Sequence, residues 1–234
     1  MRNFCQYVRW LLFSHFNLSL ERTENSHNLF KLARELEIRS ISIDTVFDIG
    51  ANSGDWSVTF RKLLKNYATF VLFEPNENFA ENYRRNGFKY FSVLLSDKEK
   101  EVQFFSNKGT GDSYYREIGS DSFKNIEPIV KVTKTLDSII QSHNLDFAQL
   151  IKLDTQGSEL DILRGSPLAL ANAKVILIEC PVLRYNEGAP NLQSYLDFFS
   201  SNNYAPFELT EVHIANGRLV QIDLAFINLA LNSN

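Results

Sequence analysis

The sequence predicts a single α/β domain built on a mostly parallel, doubly wound sheet with helices on both faces. Short apolar runs alternate along the chain with segments whose apolar residues recur at helical spacing, which is typical of parallel sheets with helical crossovers. The run at residues 175–178 has no polar position, and such a strand must be covered on both faces. With 234 residues, of which 44% are hydrophobic and 22% charged, the chain has enough apolar material for one large core.

The first half of the chain predicts three strands and two helices. Residues 45–49 form an apolar strand that runs into a glycine turn at residues 51–54. The apolar residues at positions 56, 60, 63, 64 and 67 lie on one face of the helix that follows. Residues 69–73 predict a second strand, residues 77–86 a second helix that ends at Gly87, and residues 90–95 a third strand.

The second half of the chain repeats this alternation of strands and helices. Residues 136–140 predict a helix, residues 150–153 a strand, and residues 158–163 a helix that ends at Gly165. After the strand at residues 175–178, the apolar residues at 192, 195, 196 and 199 predict a further helix. Phe207 and residues 224–229 predict a closing hairpin.

Residues 101–132 interrupt the alternation of strands and helices. Apolar positions near residues 102–104 and 129–131 predict short strands around a loop that carries Gly109, Gly111 and Gly119. We expect residues 109–120, which include Tyr114 and Tyr115, to form a lid over the substrate.

Residues 1–40 predict a helical N-terminal segment, and residues 41–234 the domain that carries the function. No run approaches the roughly 20 apolar residues that a membrane span needs. Cys5 and Cys180 are too few for a disulfide framework, which favours a cytoplasmic protein. The net charge of −4 gives no overall attraction for nucleic acid or an anionic membrane. The sequence leaves the oligomeric state open.

Five acidic residues lie at or next to the carboxyl ends of five successive predicted strands. Ligands bind at this edge of a doubly wound sheet, and a purely structural sheet needs no acids there. The five are Asp48, Glu74, Asp97, Asp154 and Glu179. The set therefore predicts a functional site.

The turn after the first strand has the pattern acid-x-Gly-x-x-x-Gly from Asp48 to Gly54, unlike the Gly-x-Gly-x-x-Gly of dinucleotide enzymes. A carboxylate there suits the ammonium group of an amino-acid-bearing nucleoside. Glu74 follows about 20 residues later, the distance at which an acid in this fold reaches ribose hydroxyls. Ser96 and Asp97 would then contact the exocyclic amine of an adenine. In the alternative interpretation, which needs no ligand, the glycines form a tight turn and the acids are exposed to solvent.

Four segments carry a resemblance to a known family. They are FDIGANSGDW at residues 47–56, FEPN at 73–76, LSDK at 95–98 and IKLDTQGSELDILRG at 151–165. In this order they resemble the motifs of the FkbM family of S-adenosylmethionine-dependent methyltransferases. The resemblance implies a Rossmann-like class I methyltransferase fold, with a seven-stranded, mostly parallel sheet. It also implies O-methylation of a sugar, glycan or polyketide-type hydroxyl. The family often has Glu where Gln156 stands, so we assign Gln156 no chemistry.

The resemblance further implies which residues contact S-adenosylmethionine. They follow the first three predicted strands: Asp48, Gly50, Ala51, Asn52, Gly54, Trp56, Glu74, Pro75, Ser96 and Asp97.

Methyl transfer needs an acceptor hydroxyl held in line with the methyl group and a group that removes its proton. Asp154 and Glu179 are the predicted catalytic acids, acting as general base or jointly binding Mg²⁺. Asp154 could instead cap the turn before the next helix. His143 and His213, expected in loops, are alternative bases.

Other classes of protein share parts of this pattern. A nicotinamide dehydrogenase would need a different glycine spacing. A nucleic-acid methyltransferase or a non-catalytic nucleoside-binding module would share the cofactor site. Tyr114, Tyr115 and Tyr185 suit sugars, macrolides or lipids alike, so the sequence does not identify the acceptor.

Overall fold

The computed structural model describes residues 25–64, 67–107, 111–118 and 125–231. The helix expected near the start of the chain lies outside these residues, as do Gly109 and Gly119 of the expected lid. The first described helix, α1 (Asn25–Ile38), contributes the buried side chains of Leu29, Leu32 and Leu36 to the core. The division of the chain at residues 40 and 41 stays a prediction.

The main sheet has seven strands, of which six run in one direction and one runs in the opposite direction. In chain order these strands are β1 (Thr45–Ile49), β2 (Thr69–Phe73), β3 (Lys89–Phe91), β7 (Leu150–Leu153), β8 (Val175–Pro181), β9 (Tyr204–Ala215) and β10 (Arg218–Asn228). Their spatial order is β3-β2-β1-β7-β8-β10-β9, and β10 runs antiparallel to both of its neighbours. The predicted seven-stranded, mostly parallel sheet is confirmed.

Helices cover both faces of this sheet. They are α1, α2 (Asp55–Leu63), α3 (Ala80–Arg85), α4 (Leu136–Ser142), α5 (Glu159–Arg164), α6 (Pro167–Asn172) and α7 (Leu192–Ser201). Alternate residues of the central strands enter two separate apolar clusters. One cluster joins Phe47 and Ile151 to α4 and α7, and the other joins Val46 and Leu150 to α1 and α2. The alternation of side chains along each strand thus gives a three-layer α/β/α core.

The strand predicted over residues 90–95 is wrong, because the chain leaves the main sheet after β3. The amide of Val93 donates to the carbonyl of Phe91, which makes a tight turn. The next strand, β4 (Leu94–Leu95), pairs with β6 (Ile129–Lys134), which also pairs with β5 (Glu101–Phe104) in a small second sheet. Asp97 therefore follows a strand of the small sheet, not the third strand of the main one.

The C-terminal hairpin is longer than predicted, because β9 and β10 together extend over residues 204–228. His213 lies inside β9 and not in a loop, whereas His143 caps the C-terminus of α4. Glu179 lies within β8, which continues to Pro181. In the part of the chain that the structure describes, no helix has the length and apolar composition needed to cross a bilayer.

Candidate functional site

A cleft opens at the carboxyl ends of β1, β2, β7 and β8, where doubly wound sheets bind ligands. Its volume is about 830 Å³, counting the part open to solvent. One end is apolar, with Phe73, Val93 and Phe104 in its wall, and the other carries the carboxylates of Asp154 and Glu179. The combination of apolar side chains with a few converging polar groups is typical of a small-molecule site.

The turn after β1 is shaped by the close approach of β7. Gly50 has a φ of +73°, and a Cβ there would lie 1.8 Å from the carbonyl oxygen of Asp154. Only glycine fits this backbone. Gly50, Asn52 and Glu74 all line the cleft, so the turn is both structurally required and exposed to a ligand.

Glu74 connects this turn to the end of β2. Its Oε2 accepts a hydrogen bond from the amide of Asn52 at 2.9 Å, and its Oε1 accepts one from the amide of Asn76 at 2.9 Å. Burial raises the pKa of Glu74, although these two amides act in the opposite direction. Each carboxylate oxygen keeps a further lone pair, so the position suits two hydroxyl donors such as those of a ribose.

Asp48 is completely buried below the cleft and is not part of its described wall. Its Oδ2 accepts from the Ser57 hydroxyl at 2.7 Å, and its Oδ1 lies 3.2 Å from Lys152 Nζ. The ammonium contact predicted for Asp48 stays a prediction, and in the structure its partners are protein groups.

Lys152 connects three parts of the site. Its Nζ lies 3.2 Å from Asp48 and 3.4 Å from Asp154 Oδ2, and it donates to the carbonyl of Gly50 at 3.2 Å. Burial lowers the pKa of Lys152, but the charges of Asp48 and Asp154 outweigh it and raise the pKa above its ordinary value. Lys152 therefore stays charged and holds the β1 turn against the end of β7.

Gln156 lies between the two predicted catalytic acids. Its Nε2 donates to Asp154 Oδ1 at 3.0 Å and to Glu179 Oε2 at 2.8 Å. The residue has a φ of +57°, and the tight turn after β7 points its amide into the cleft wall. Gln156 thus connects the two carboxylates by hydrogen bonds, and the absence of a chemical role at this position stays a prediction.

The carboxylate of Glu179 also accepts hydrogen bonds from the hydroxyl of Tyr185 at 3.3 Å and from the side-chain amide of Gln221. Burial first, and then the negative charges of neighbouring carboxylates, raise its pKa well above the ordinary value. Asp154 lies beside the ammonium group of Lys152, whereas Glu179 is buried among carboxylates and keeps its proton to higher pH than an ordinary glutamate. The two acids therefore have different electrostatic environments.

Ser96 and Asp97 lie at the edge of the small sheet and not in the described wall of the cleft. Ser96 Oγ donates to Asp97 Oδ1 at 3.0 Å, and Lys100 donates to the same oxygen. The hydrogen bond from Lys100 is the main cause of a lowered pKa for Asp97. Of the neighbouring residues, Leu94 and Leu95 line the cleft instead.

Tyr114 and Tyr115, in the described part of the expected lid, are anchored to α5. Their hydroxyls donate to Asp161 Oδ2 at 3.0 and 2.8 Å. The amide of Ile118 donates to the carbonyl of Tyr185, which ties this segment to the loop after β8. Tyr114 and Tyr115 therefore hold residues 113–118 beside the cleft.

The two predicted alternative bases lie apart from the cleft wall. The ring of His143 packs on Phe91, with 4.6 Å between the ring centroids. His213 lies 3.6 Å from both Glu211 and Asp223. Neither histidine belongs to the described lining.

Sequence reasoning missed Lys152 and Gln156 as site residues. Lys152 stands within an apolar strand, and a charged residue there is buried only when it is paired. A lysine at this position of the sequence was therefore the available sign of a buried ion pair. Gln156 gave no comparable signal, because an amide in a polar turn is ordinary.

Comparisons with known proteins identify the family of this chain. A model of the FkbM methyltransferase domain matches residues 48–206. The 2-O-methyltransferase NoeI of Sinorhizobium fredii (strain NBRC 101917 / NGR234) is 27% identical in an alignment of 174 residues that covers 67% of this chain and 71% of that protein.

Two solved structures are among those similar to this chain. Cofactor-bound Rv0187 from MTB has a TM-score of 0.52 and 11% identity, covering 90% of this chain and 82% of that one. The O-methyltransferase from Bacillus cereus in complex with SAH has a TM-score of 0.47 and 11% identity, covering 94% of this chain and 97% of that one. The predicted Rossmann-like class I fold and the predicted family are confirmed. Because the family model spans more than half of the chain, this protein belongs to the FkbM methyltransferase family and is an S-adenosylmethionine-dependent methyltransferase.

Proposed function

We propose that this methyltransferase acts on a hydroxyl oxygen of a sugar, glycan or polyketide-type small molecule. A relative named as a 2-O-methyltransferase supports transfer to oxygen. The carboxylates at one end of the cleft support it independently, because a hydroxyl must lose its proton when the oxygen is methylated. The acidic net charge gives no support to a nucleic-acid acceptor.

The cofactor is proposed to occupy the end of the cleft formed by β1 and β2. When bound, S-adenosylmethionine supplies an electrophilic methyl group on a sulfonium. The proposed contacts are the ten residues predicted from the sequence, of which Gly50, Asn52, Glu74 and Pro75 line the cleft. Among these four, Glu74 provides the carboxylate. Thr155 Oγ1, in the same wall, is buried without a hydrogen-bond partner, which supports a polar ligand there.

Asp154 is proposed to accept the proton of the acceptor hydroxyl. Its side chain is 39% exposed, so a ligand in the cleft can reach it, and Lys152 balances its charge. Glu179, whose raised pKa favours its protonated form, would orient the acceptor by a hydrogen bond. The observation that carries this proposal is the Gln156 side chain, which donates to both carboxyl groups and fixes their spacing.

Joint binding of Mg²⁺ by Asp154 and Glu179 stays a prediction. The Gln156 amide already bridges Asp154 Oδ1 and Glu179 Oε2. Proton transfer without a metal leaves these hydrogen bonds in place. We therefore propose the general-base role in preference to the metal role.

Residues 109–120 are proposed to cover the acceptor. The described members Tyr114 and Tyr115 support this by their position between α5 and the loop after β8. Slower amide hydrogen exchange of this segment in the presence of cofactor and acceptor would agree with a lid. Equal exchange in the free and bound protein would contradict it.

The test of the function is methyl transfer measured by mass spectrometry over a panel of sugars, oligosaccharides and polyketide alcohols. The native protein should add one methyl group to a hydroxyl of at least one class. Asp154→Asn should slow transfer by about 10² to 10⁴-fold, while cofactor affinity changes little. Asp197→Asn, on the exposed face of α7, is the matched control and should keep the native rate.

Methylation of nitrogen or carbon on the preferred acceptor would overturn the proposal, and so would near-native turnover of a folded Asp154→Asn protein. Loss of native activity in EDTA, restored by Mg²⁺, would favour the metal role of Asp154 and Glu179.

A further inference from the structure

A second cluster of ionisable side chains lies on the C-terminal hairpin, one strand away from Glu179. Asp223 in β10 is paired in register with Glu179 in β8 on one side and with Glu211 in β9 on the other. Residues paired across neighbouring strands point to the same face of the sheet. His213 follows Glu211 by two residues and shares that face. Three carboxylates of neighbouring strands and one imidazole are thus brought together.

The distances within this cluster are those of metal ligands. His213 Nε2 lies 3.6 Å from Glu211 Oε1 and 3.6 Å from Asp223 Oδ1. These separations are longer than the usual hydrogen bond of about 2.7–3.2 Å. Ligands bound tetrahedrally to zinc at about 2.0–2.2 Å lie about 3.4 Å apart. In the described part of the chain, Glu211, His213 and Asp223 are the residues whose potential ligand atoms form such a group, all within 4.8 Å of one another.

One ligand atom in the cluster has no hydrogen-bond partner. Asp223 Oδ1 is buried from solvent, and no donor among the described residues lies within ordinary hydrogen-bond distance of it, since His213 Nε2 is 3.6 Å away. A buried carboxylate oxygen without a partner is costly, and carboxylates paired across neighbouring strands repel one another. A divalent cation would remove both costs.

The donor set also indicates which cation fits. Imidazole nitrogen together with carboxylate oxygen suits zinc and similar transition metals, whereas Mg²⁺ prefers oxygen alone. The side chains of Glu211, His213 and Asp223 are between 25% and 38% exposed. An ion can therefore enter the cluster, and coordination positions stay open. We propose that Glu211, His213 and Asp223 form a binding site for a divalent transition-metal ion, with zinc as its best representative.

The experiment is a zinc titration of the full chain by isothermal calorimetry, after treatment with a chelator and removal of the chelator. The native protein should bind one zinc ion at this site, and Mg²⁺ at the same concentration should bind at least 100-fold more weakly. His213→Ala should weaken zinc binding at least 100-fold. His143→Ala removes an imidazole that packs on Phe91, and it should leave zinc binding unchanged.

Asp223→Asn keeps the shape of the side chain, and it should weaken zinc binding while circular dichroism shows a native fold. This second variant keeps the test decisive if His213→Ala does not fold. Failure of the native protein to bind zinc, or unchanged binding in folded His213→Ala, would overturn the proposal. The cluster would then be an ion pair of protonated His213 with two carboxylates. The readout is metal binding, so it is independent of whether the proposed methyl acceptor is correct.

Discussion

Lys152 offers the sharpest test of how the site is held together. Its ammonium group is almost completely buried, and it lies 3.2 Å from Asp48, which has no exposed surface. The Lys152→Met substitution keeps most of the aliphatic chain but removes the positive charge. Asp48 Oδ1 would then be left buried beside an apolar side chain, and Asp154 would lose its balancing charge.

The expected loss of stability follows from this burial. Breaking a buried ion pair by removing one partner costs about 3–5 kcal/mol, because an uncompensated charge remains. The hydrogen bond from Ser57 to Asp48 Oδ2 persists, so we expect a loss near the lower end of that range. The exposed pair between Arg85 and Glu81 provides the matched control, since exposed pairs contribute about 0–1 kcal/mol.

The assay is urea denaturation followed by circular dichroism near neutral pH. Lys152→Met should lose about 3 kcal/mol of unfolding free energy, and Arg85→Met less than about 1 kcal/mol. The double variant Asp48→Asn/Lys152→Met removes both charges and should recover much of the loss. Equal stabilities of Lys152→Met and Arg85→Met would refute the assignment of Lys152 as the buried counter-ion of the site.

Three further predictions concern other parts of the fold. Burial and neighbouring carboxylates raise the pKa of Glu179, so the folded protein keeps this proton to higher pH than the unfolded chain does. Its contribution to stability is present below the unfolded pKa and is lost as pH rises toward the folded one. As the pH rises from about 5 to about 8, the free energy of unfolding of the Glu179→Gln protein should therefore fall by less than that of the native protein. Urea denaturation at several pH values measures this difference. Gly50→Ala should unfold or lose several kcal/mol more than Gly87→Ala, since both have positive φ but only the first meets backbone within 4 Å. Tyr195→Phe should lower the melting temperature, because it removes a 2.6 Å hydrogen bond to buried Glu159 worth about 1.5–3 kcal/mol; an unchanged melting temperature would contradict this.

The sheet was readable from the sequence because its central strands are short apolar runs bounded by turn residues. Val175 to Ile178, for example, could only be a strand covered on both faces. The split between β3 and β4 was not readable, because residues 90–95 alternate little and the turn at Val93 depends on a backbone hydrogen bond. Asp97 was misplaced for the same reason.

The site was readable only in part. Glu74, Asp154 and Glu179 follow from the rule that ligands meet the carboxyl ends of parallel strands, and all three line the cleft. The partners of these acids come from positions distant in sequence, as Gln221 does for Glu179. Such contacts depend on strand order and on the register of β10 with β8, which periodicity alone does not provide.

Binding of the cofactor at Glu74 is the most direct test of the proposed site. Calorimetric titration of S-adenosylmethionine into the native protein should show one site, and Glu74→Gln should bind at least tenfold more weakly. That loss corresponds to one charge-assisted hydrogen bond of about 1.5–3 kcal/mol. Glu77→Gln, an exposed position three residues later, should bind like the native protein. Native affinity in a folded Glu74→Gln protein would contradict the assignment of this cleft as the cofactor site.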